Sequence, residues 1–370
     1  MNLESVKLLK DIGEENDDGE TPLHLCSRAG NLEVVKFLLE KGVDIALRNN
    51  YGQTPLHLSS ENGKLEVVKF LLEKGADIES KFPFIPDPRD PCPMVEDKIK
   101  KGTWVSKKGK DYGITPLHVA ATRGSNLEVV KFLLEKGADI ESKQLDDRKT
   151  PLHVAVKSGD FDLVKLLLER GANIESNADG TPLHYCYNLK IANLLLEKGA
   201  NIEAKDYWSK TRLHNAADGK NLEMIAFLVA KGADINAKNH DGDTPLHMAI
   251  RSETLEFMYS DYEEDGIEID EKKLDVVKCL VEKGADIESK NNCNESPLDI
   301  SLKNRYLEVT EFFKECIAQK AKKKIQYFLR KIAAKNISNK LRMKPHNLFD
   351  PEFSGLRKKI LKIDDSRFNL

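Results

Sequence analysis

The segment TPLHLCSRAGNLEVVKFLLEKG, from Thr21 to Gly42, decides how the rest of the chain is read. Its opening tetrapeptide recurs at Thr54, Thr115, Thr150, Thr181 and Thr244, with degenerate copies at Thr211 (Thr-Arg-Leu-His) and Ser296 (Ser-Pro-Leu-Asp). Uninterrupted copies lie 33 residues apart, and a fixed period of that length is the signature of a stacked repeat. Within one unit, Thr21 is a helix-capping residue and Pro22 sits where no backbone donor is needed. Gly30 ends that short helix. Leu32, Val35, Leu38 and Leu39 then recur at three-and-four spacing, which predicts a second helix with one apolar stripe, closed by Gly42. A single hairpin of this kind cannot hide its stripe, so the array is the folding unit.

The pattern resembles the ankyrin-repeat family: Thr-Pro-Leu-His, a Gly-Asn or Gly-Lys turn, then Leu-Glu-Val-Val-Lys and Lys-Gly-Ala-Asp-Ile. The resemblance implies a mainly α solenoid of helix-turn-helix units joined by β-hairpin loops, and a protein-binding rather than catalytic role. The expected organisation is an N-terminal half-repeat cap over 1–16, eight repeats over 17–317 and a basic helical tail over 318–370. Two insertions break the register, at about 82–110 and about 252–272. The first contains Trp104 and a Phe-Pro-Phe-Ile-Pro start; it reads either as a binding finger or as a tolerated surface loop. The second is acidic but lacks the offsets of a calcium loop. The copy at Thr181 is shortened and Arg212 replaces the usual proline, so irregular packing is expected between them.

Seven of the nine histidines are the fourth residue of the tetrapeptide. The family resemblance gives them structural hydrogen bonds. Their spacing disperses them, which argues against a metal site, and no nucleotide, nucleophile-elbow or zinc-protease motif occurs. No catalytic residue and no cofactor is expected. The six cysteines form no C-x-x-C pair and read as reduced thiols of a cytoplasmic protein, in keeping with the lack of a secretory leader pattern in Met1 to Glu20. A chain delivered into a host cell is compatible with the same features.

By the same resemblance, recognition falls on loop tips and on the exposed side of the first helices. The candidates are Arg28, Tyr51, Gln53, Trp104, Tyr112, Arg123, Lys149, Tyr207, Trp208, Lys210, His240 and Arg251, with the aromatics as anchors. Residues Ile317 to Leu370 carry 15 Lys/Arg against 4 Asp/Glu, leaving a net charge of −14 on the first 316 residues. That balance points to a basic or neutral protein partner and away from nucleic acid on the array. The chain is expected to be monomeric.

The tail has three readings. Its apolar residues Ile325, Phe328, Leu329 and Ile332 share a helix face and would cap the last repeat, or form a basic amphipathic helix for an anionic membrane or calmodulin-like partner, or lie beside a nuclear-import signal at Lys320 to Lys324. Ile325, Gln326, Arg330, Lys331 and Lys335 resemble an IQ motif, with Lys331 where glycine is usual. Leu356 to Leu361 resembles an F-box-like segment of a ubiquitin-ligase adaptor, without its Leu-Pro start. Deleting Ser338 to Leu370 is expected to leave the thermal unfolding transition of the array in place, as followed by circular dichroism.

Overall fold

The computed structural model describes residues 13–82, 113–123, 126–145, 148–251 and 271–342. Each repeat is an inner helix followed by an outer one. In chain order these are α1 (Pro22–Ala29) and α2 (Leu32–Glu40), α3 (Pro55–Glu61) and α4 (Leu65–Glu73), α5 (Pro116–Ala120) and α6 (Leu127–Glu135) and α7 (Pro151–Ser158) and α8 (Phe161–Glu169). A 3₁₀ turn (Pro182–Tyr185) stands in for the next inner helix, before α9 (Leu189–Glu197). Then come α10 (Arg212–Asp218) and α11 (Leu222–Ala230), α12 (Pro245–Arg251) and α13 (Glu271–Glu282), and α14 (Pro297–Lys303) and α15 (Leu307–Arg342). The expected N-terminal cap falls almost wholly outside the described residues.

The outer helices bury one face, with Leu32 and Leu39 of the expected stripe half-buried against the core and Val34, outside that stripe, at its centre. Val34, Val35 and Leu38 are fully buried, as are Val67, Val68 and Leu71, and Ile225 and Leu228. The tetrapeptide leucines join them in one apolar cluster that runs from Leu23 to Phe313. Inner helices pack on inner helices of the next repeat, so each unit closes its neighbour's flank. The connecting loops are turns; among the described residues the one β-pairing is an isolated antiparallel bridge, Phe82 to Ile114. That bridge explains how the first insertion is tolerated. The chain leaves at Phe82 and returns at Ile114, and α3 and α5 pack together as if nothing lay between.

A histidine relay links the units. His24 Nδ1 accepts the backbone N–H of Thr21 at 3.2 Å and lies 2.9 Å from its hydroxyl. Accepting that N–H leaves the proton on Nε2, which faces the carbonyl of Gln53 at 3.2 Å, just ahead of Thr54. The same atom pair recurs in every full copy: His57 to Ile114, His118 to Lys149, His153 to Gly180, His184 to Lys210, His214 to Asp243 and His247 to Glu295. Each acceptor is the residue before the next Thr or Ser. The last copy carries Asp299 instead, whose carboxylate accepts from both Ser296 N–H and hydroxyl, at 2.8 and 2.7 Å. It caps its own helix yet has no proton to pass forward, and no further Thr-Pro-Leu-His copy follows it.

Outer helices stop at glycines in the left-handed region, such as Gly42 (φ 82°) and Gly284 (φ 101°), ten residues after the first leucine of the stripe, Leu32 and Leu274. In the last repeat that position is Ile317, for which the left-handed conformation is costly. The helix therefore continues to Arg342. Of the three readings of the tail, the one in which its apolar residues cap the last repeat does not hold: Ile325, Phe328 and Leu329 are about three-fifths exposed. The end of the array is closed instead by Tyr306, Val309 and Phe313, all buried.

Burial lowers the proton affinity of the relay histidines His24, His184, His214 and His247, and pushes His57 down to about 3. The unfolded chain takes up protons near pH 6.5 where the folded one does not, so stability present above that pH is lost as pH falls below it. Urea titrations at pH 7.5, 6.5 and 5.5 should show falling midpoints, with His57 alone costing about 1.4 kcal/mol at pH 5.5. A flat midpoint would contradict the relay.

Candidate functional site

The loop tips are built on a device that the tetrapeptide does not announce. In five of the eight copies an Asn or Asp stands five residues before the Thr or Ser, and its side-chain oxygen accepts the backbone N–H groups two and four residues on; the copies at Thr115, Thr150 and Thr181 carry Lys110, Leu145 and Ser176 there. Asn49 holds Tyr51 and Gln53 at 3.1 and 2.9 Å, Asp206 holds Trp208 and Lys210 at 2.9 and 2.7 Å, and Asn239 holds Asp241 and Asp243 at 3.0 and 2.9 Å. Asn16 and Asn291 repeat the arrangement. These Asx turns fix the backbone of the tip at low entropy cost. Adjacent tips are also tied, through Asn50 N–H to Asp18 carbonyl and His240 N–H to Trp208 carbonyl. The Asn/Asp at this offset is visible in the sequence once the copies are aligned on Thr.

Within that frame the expected contact residues divide. Tyr207 and Trp208 are 78% and 60% exposed and meet edge-to-face at 5.2 Å, beside the exposed His240. Their apolar faces are displayed, not packed. Tyr51 is half-buried and its hydroxyl donates to Asp18, and Gln53 accepts from Asn49, so both serve the loop itself. Lys149 lies 5.0 Å from the Tyr185 ring, and Lys210 is half-buried beside its turn.

The candidate arginines on or just after the inner helices are engaged with acids, of the loops for Arg28 and Arg251 and of the end of α3 for Arg123. Arg28 pairs with the buried Glu20, Arg123 reaches Glu61 at 3.5 Å, and Arg251 bridges the buried Asp243 at 2.5 Å and Glu295 at 3.8 Å. Trp104 and Tyr112 lie outside the described residues. Ile325, Gln326, Arg330, Lys331 and Lys335 are all exposed on α15, remote in sequence from every loop tip.

The irregular copy has a specific remedy. Having no full inner helix, it leaves the Cys186 carbonyl without a helical partner, and Arg212 fills the gap. Its Nε and Nη2 donate to that carbonyl at 3.1 and 2.7 Å, and its guanidinium stacks on the exposed Tyr187 ring at 5.2 Å. The side chain is 2% exposed, and burial lowers its proton affinity. Two departures from the repeat thus compensate one another: the missing turn makes room for a side chain that proline could not supply. Beside them lies a shallow groove of about 660 Å³ lined by Tyr187, Lys157, Lys190, Leu189 and Glu223.

Comparison with known proteins follows the same lines. Family models described as "Ankyrin repeats (3 copies)" match residues 1–82 and 117–206, "Ankyrin repeats (many copies)" residues 213–259, and "Ankyrin repeat" residues 241–292. The ankyrin repeat protein FPV233 of Fowlpox virus (strain NVSL) is 38% identical over 61 residues, 16% of this chain and 12% of the viral protein. The human ASB11 ankyrin repeat domain superposes with a TM-score of 0.52 at 25% identity, covering 72% of this chain and 99% of that one. The ankyrin repeat domain of Bcl-3 gives a TM-score of 0.47 at 30% identity, covering 62% and 94%.

Arg212→Ala should leave the Cys186 carbonyl unpaired beside a void and cost about 2 kcal/mol or more. Arg212→Pro, which restores the usual residue, should fare no better. Hydrogen exchange is expected to accelerate locally around Leu183 to Ala192 in both variants.

Proposed function

Because the chain belongs to the ankyrin-repeat family, whose repeats are generally protein–protein interaction modules, we propose that it captures a partner protein at the loop tips and inner-helix face of its array. The observation that carries this reading is the Tyr207–Trp208 pair. Two large aromatic faces stand in solvent on a turn whose backbone is already fixed by Asp206. Exposing them costs solubility, and a rigid aromatic anchor is what binding hot spots require. His240 and Lys210 flank the pair and would supply polar contacts around it.

The acidic array suits a basic or neutral partner, since like charge across an interface is penalised. No catalytic step is assigned to the array. In every full repeat both ring nitrogens of the relay histidine are held by the framework. A second reading rests on the exposed tail helix, which would localise or regulate the chain as an adaptor.

The test is capture of partner on the immobilised full chain, compared with the Tyr207→Ala, Trp208→Ala double variant. Affinity is expected to fall by roughly tenfold or more, with helix content and thermal unfolding unchanged. Undiminished capture would remove the pair from the binding surface.

A further inference from the structure

The helix α15 serves two environments. Its first turns belong to the array, where Val309 and Phe313 are buried and Phe312, Cys316 and Ile317 pack on the core. From Ala318 to Lys335 every residue is exposed, a free rod of about 27 Å. Ile325, Phe328, Leu329 and Ile332 fall on it at i, i+3, i+4 and i+7 and are 40% to 62% exposed. On helical geometry they form an apolar arc of about 100°. Lys322 borders one edge of that arc, and Lys324 and Lys335 the other.

We propose that this projecting helix is a docking surface for anionic lipid, lying along a negatively charged bilayer with Phe328 and Leu329 inserted. The charge pattern selects this occupant. Lys320 is paired with Glu288 at 2.5 Å, and Lys322, Lys323, Lys324, Arg330, Lys331 and Lys335 are exposed on the rod. The acids of α15, Glu308, Glu311 and Glu315, all lie in the turns that belong to the array; the rod from Ala318 to Lys335 carries none on any side, and none occurs between Glu315 and Asp350. A groove in a protein opposes particular positions and tolerates an acid on the outward face. A charged plane acts through its field on every side of the helix within a Debye length, and so disfavours acids everywhere. The bordering lysines have stems long enough to lie along the arc while their ammonium groups stay among the headgroups. This is the arrangement of an interfacial helix rather than a spanning one; among the described residues no helix is long and apolar enough to cross a membrane.

The inference is independent of capture by the loop tips, and the experiment separates them. The full chain is sedimented with vesicles of phosphatidylcholine alone and of phosphatidylcholine with a minority of phosphatidylserine, at low and high salt. Partition onto the phosphatidylserine vesicles is expected to exceed that onto the neutral ones by about tenfold or more, and to be lost at high salt. Phe328→Asp with Leu329→Asp should abolish it without moving the thermal transition. Phe328→Trp should show a blue-shifted emission on the anionic vesicles only, and Tyr207→Ala with Trp208→Ala should bind them as the parent chain does. Equal partition onto both vesicles, none onto either, or binding that survives the double aspartate variant would overturn the proposal. So would tight association with an acidic groove protein, calmodulin being the probe, by a chain that ignores the vesicles.

Discussion

Each repeat leaves one apolar flank and one loop carbonyl that only its neighbour can cover. The flank is met by the next pair of helices, and the carbonyl by a histidine Nε2–H from the preceding inner helix. Both contacts are short-range and both repeat, so the structure extends by addition rather than by enclosing a centre. The relay is stringent because it works at zero exposure. His24, His57, His118, His153, His214 and His247 are fully buried, where an unmade hydrogen bond is costly. Burial also keeps the ring neutral in the cases where the shift is resolved, which preserves the acceptor at Nδ1 that the N-cap needs.

The same constraint explains which departures are tolerated. An insertion between repeats costs little if its ends rejoin at the relay, and the Phe82–Ile114 bridge beside His57 does that. A deletion within a repeat is harder, because it removes a buried helix turn. Here the void is filled from the next unit by Arg212, a cation held by a carbonyl and an aromatic face. The arrangement leaves Tyr187 exposed over a shallow groove, so local surface variety arises from a repair of packing.

Framework and display are divided within a few residues of each other. Asp206 spends its carboxylate on two backbone N–H groups, and the residues that it positions, Tyr207 and Trp208, are then free to face solvent. At the other end of the chain the division is longitudinal: the turns of α15 that hold Val309 and Phe313 close the array, and the continuation carries a basic, apolar-edged rod into solvent. An acidic body and a basic extension thus occupy separate regions, which limits mutual neutralisation to contacts such as Lys320 with Glu288.

The solenoid was legible in the residues alone because its determinants are contiguous. Thr-Pro-Leu-His, the stripe from Leu32 to Leu39 and the closing Gly42 are all read within one unit, and periodic burial follows from helical geometry. The Asx turns are equally local, set in five copies by the Asn or Asp five residues before the Thr or Ser. What the sequence could not decide was the partner of a side chain across the stack. Arg212 looks like a lost proline until Cys186, 26 residues earlier, is placed against it. Tyr51 looks like a free anchor until its hydroxyl meets Asp18, 33 residues away. The apolar face of the tail fits a cap equally well on paper. Only the direction in which α15 leaves the last repeat, set by Ile317 where other copies have glycine, decides that this face meets solvent.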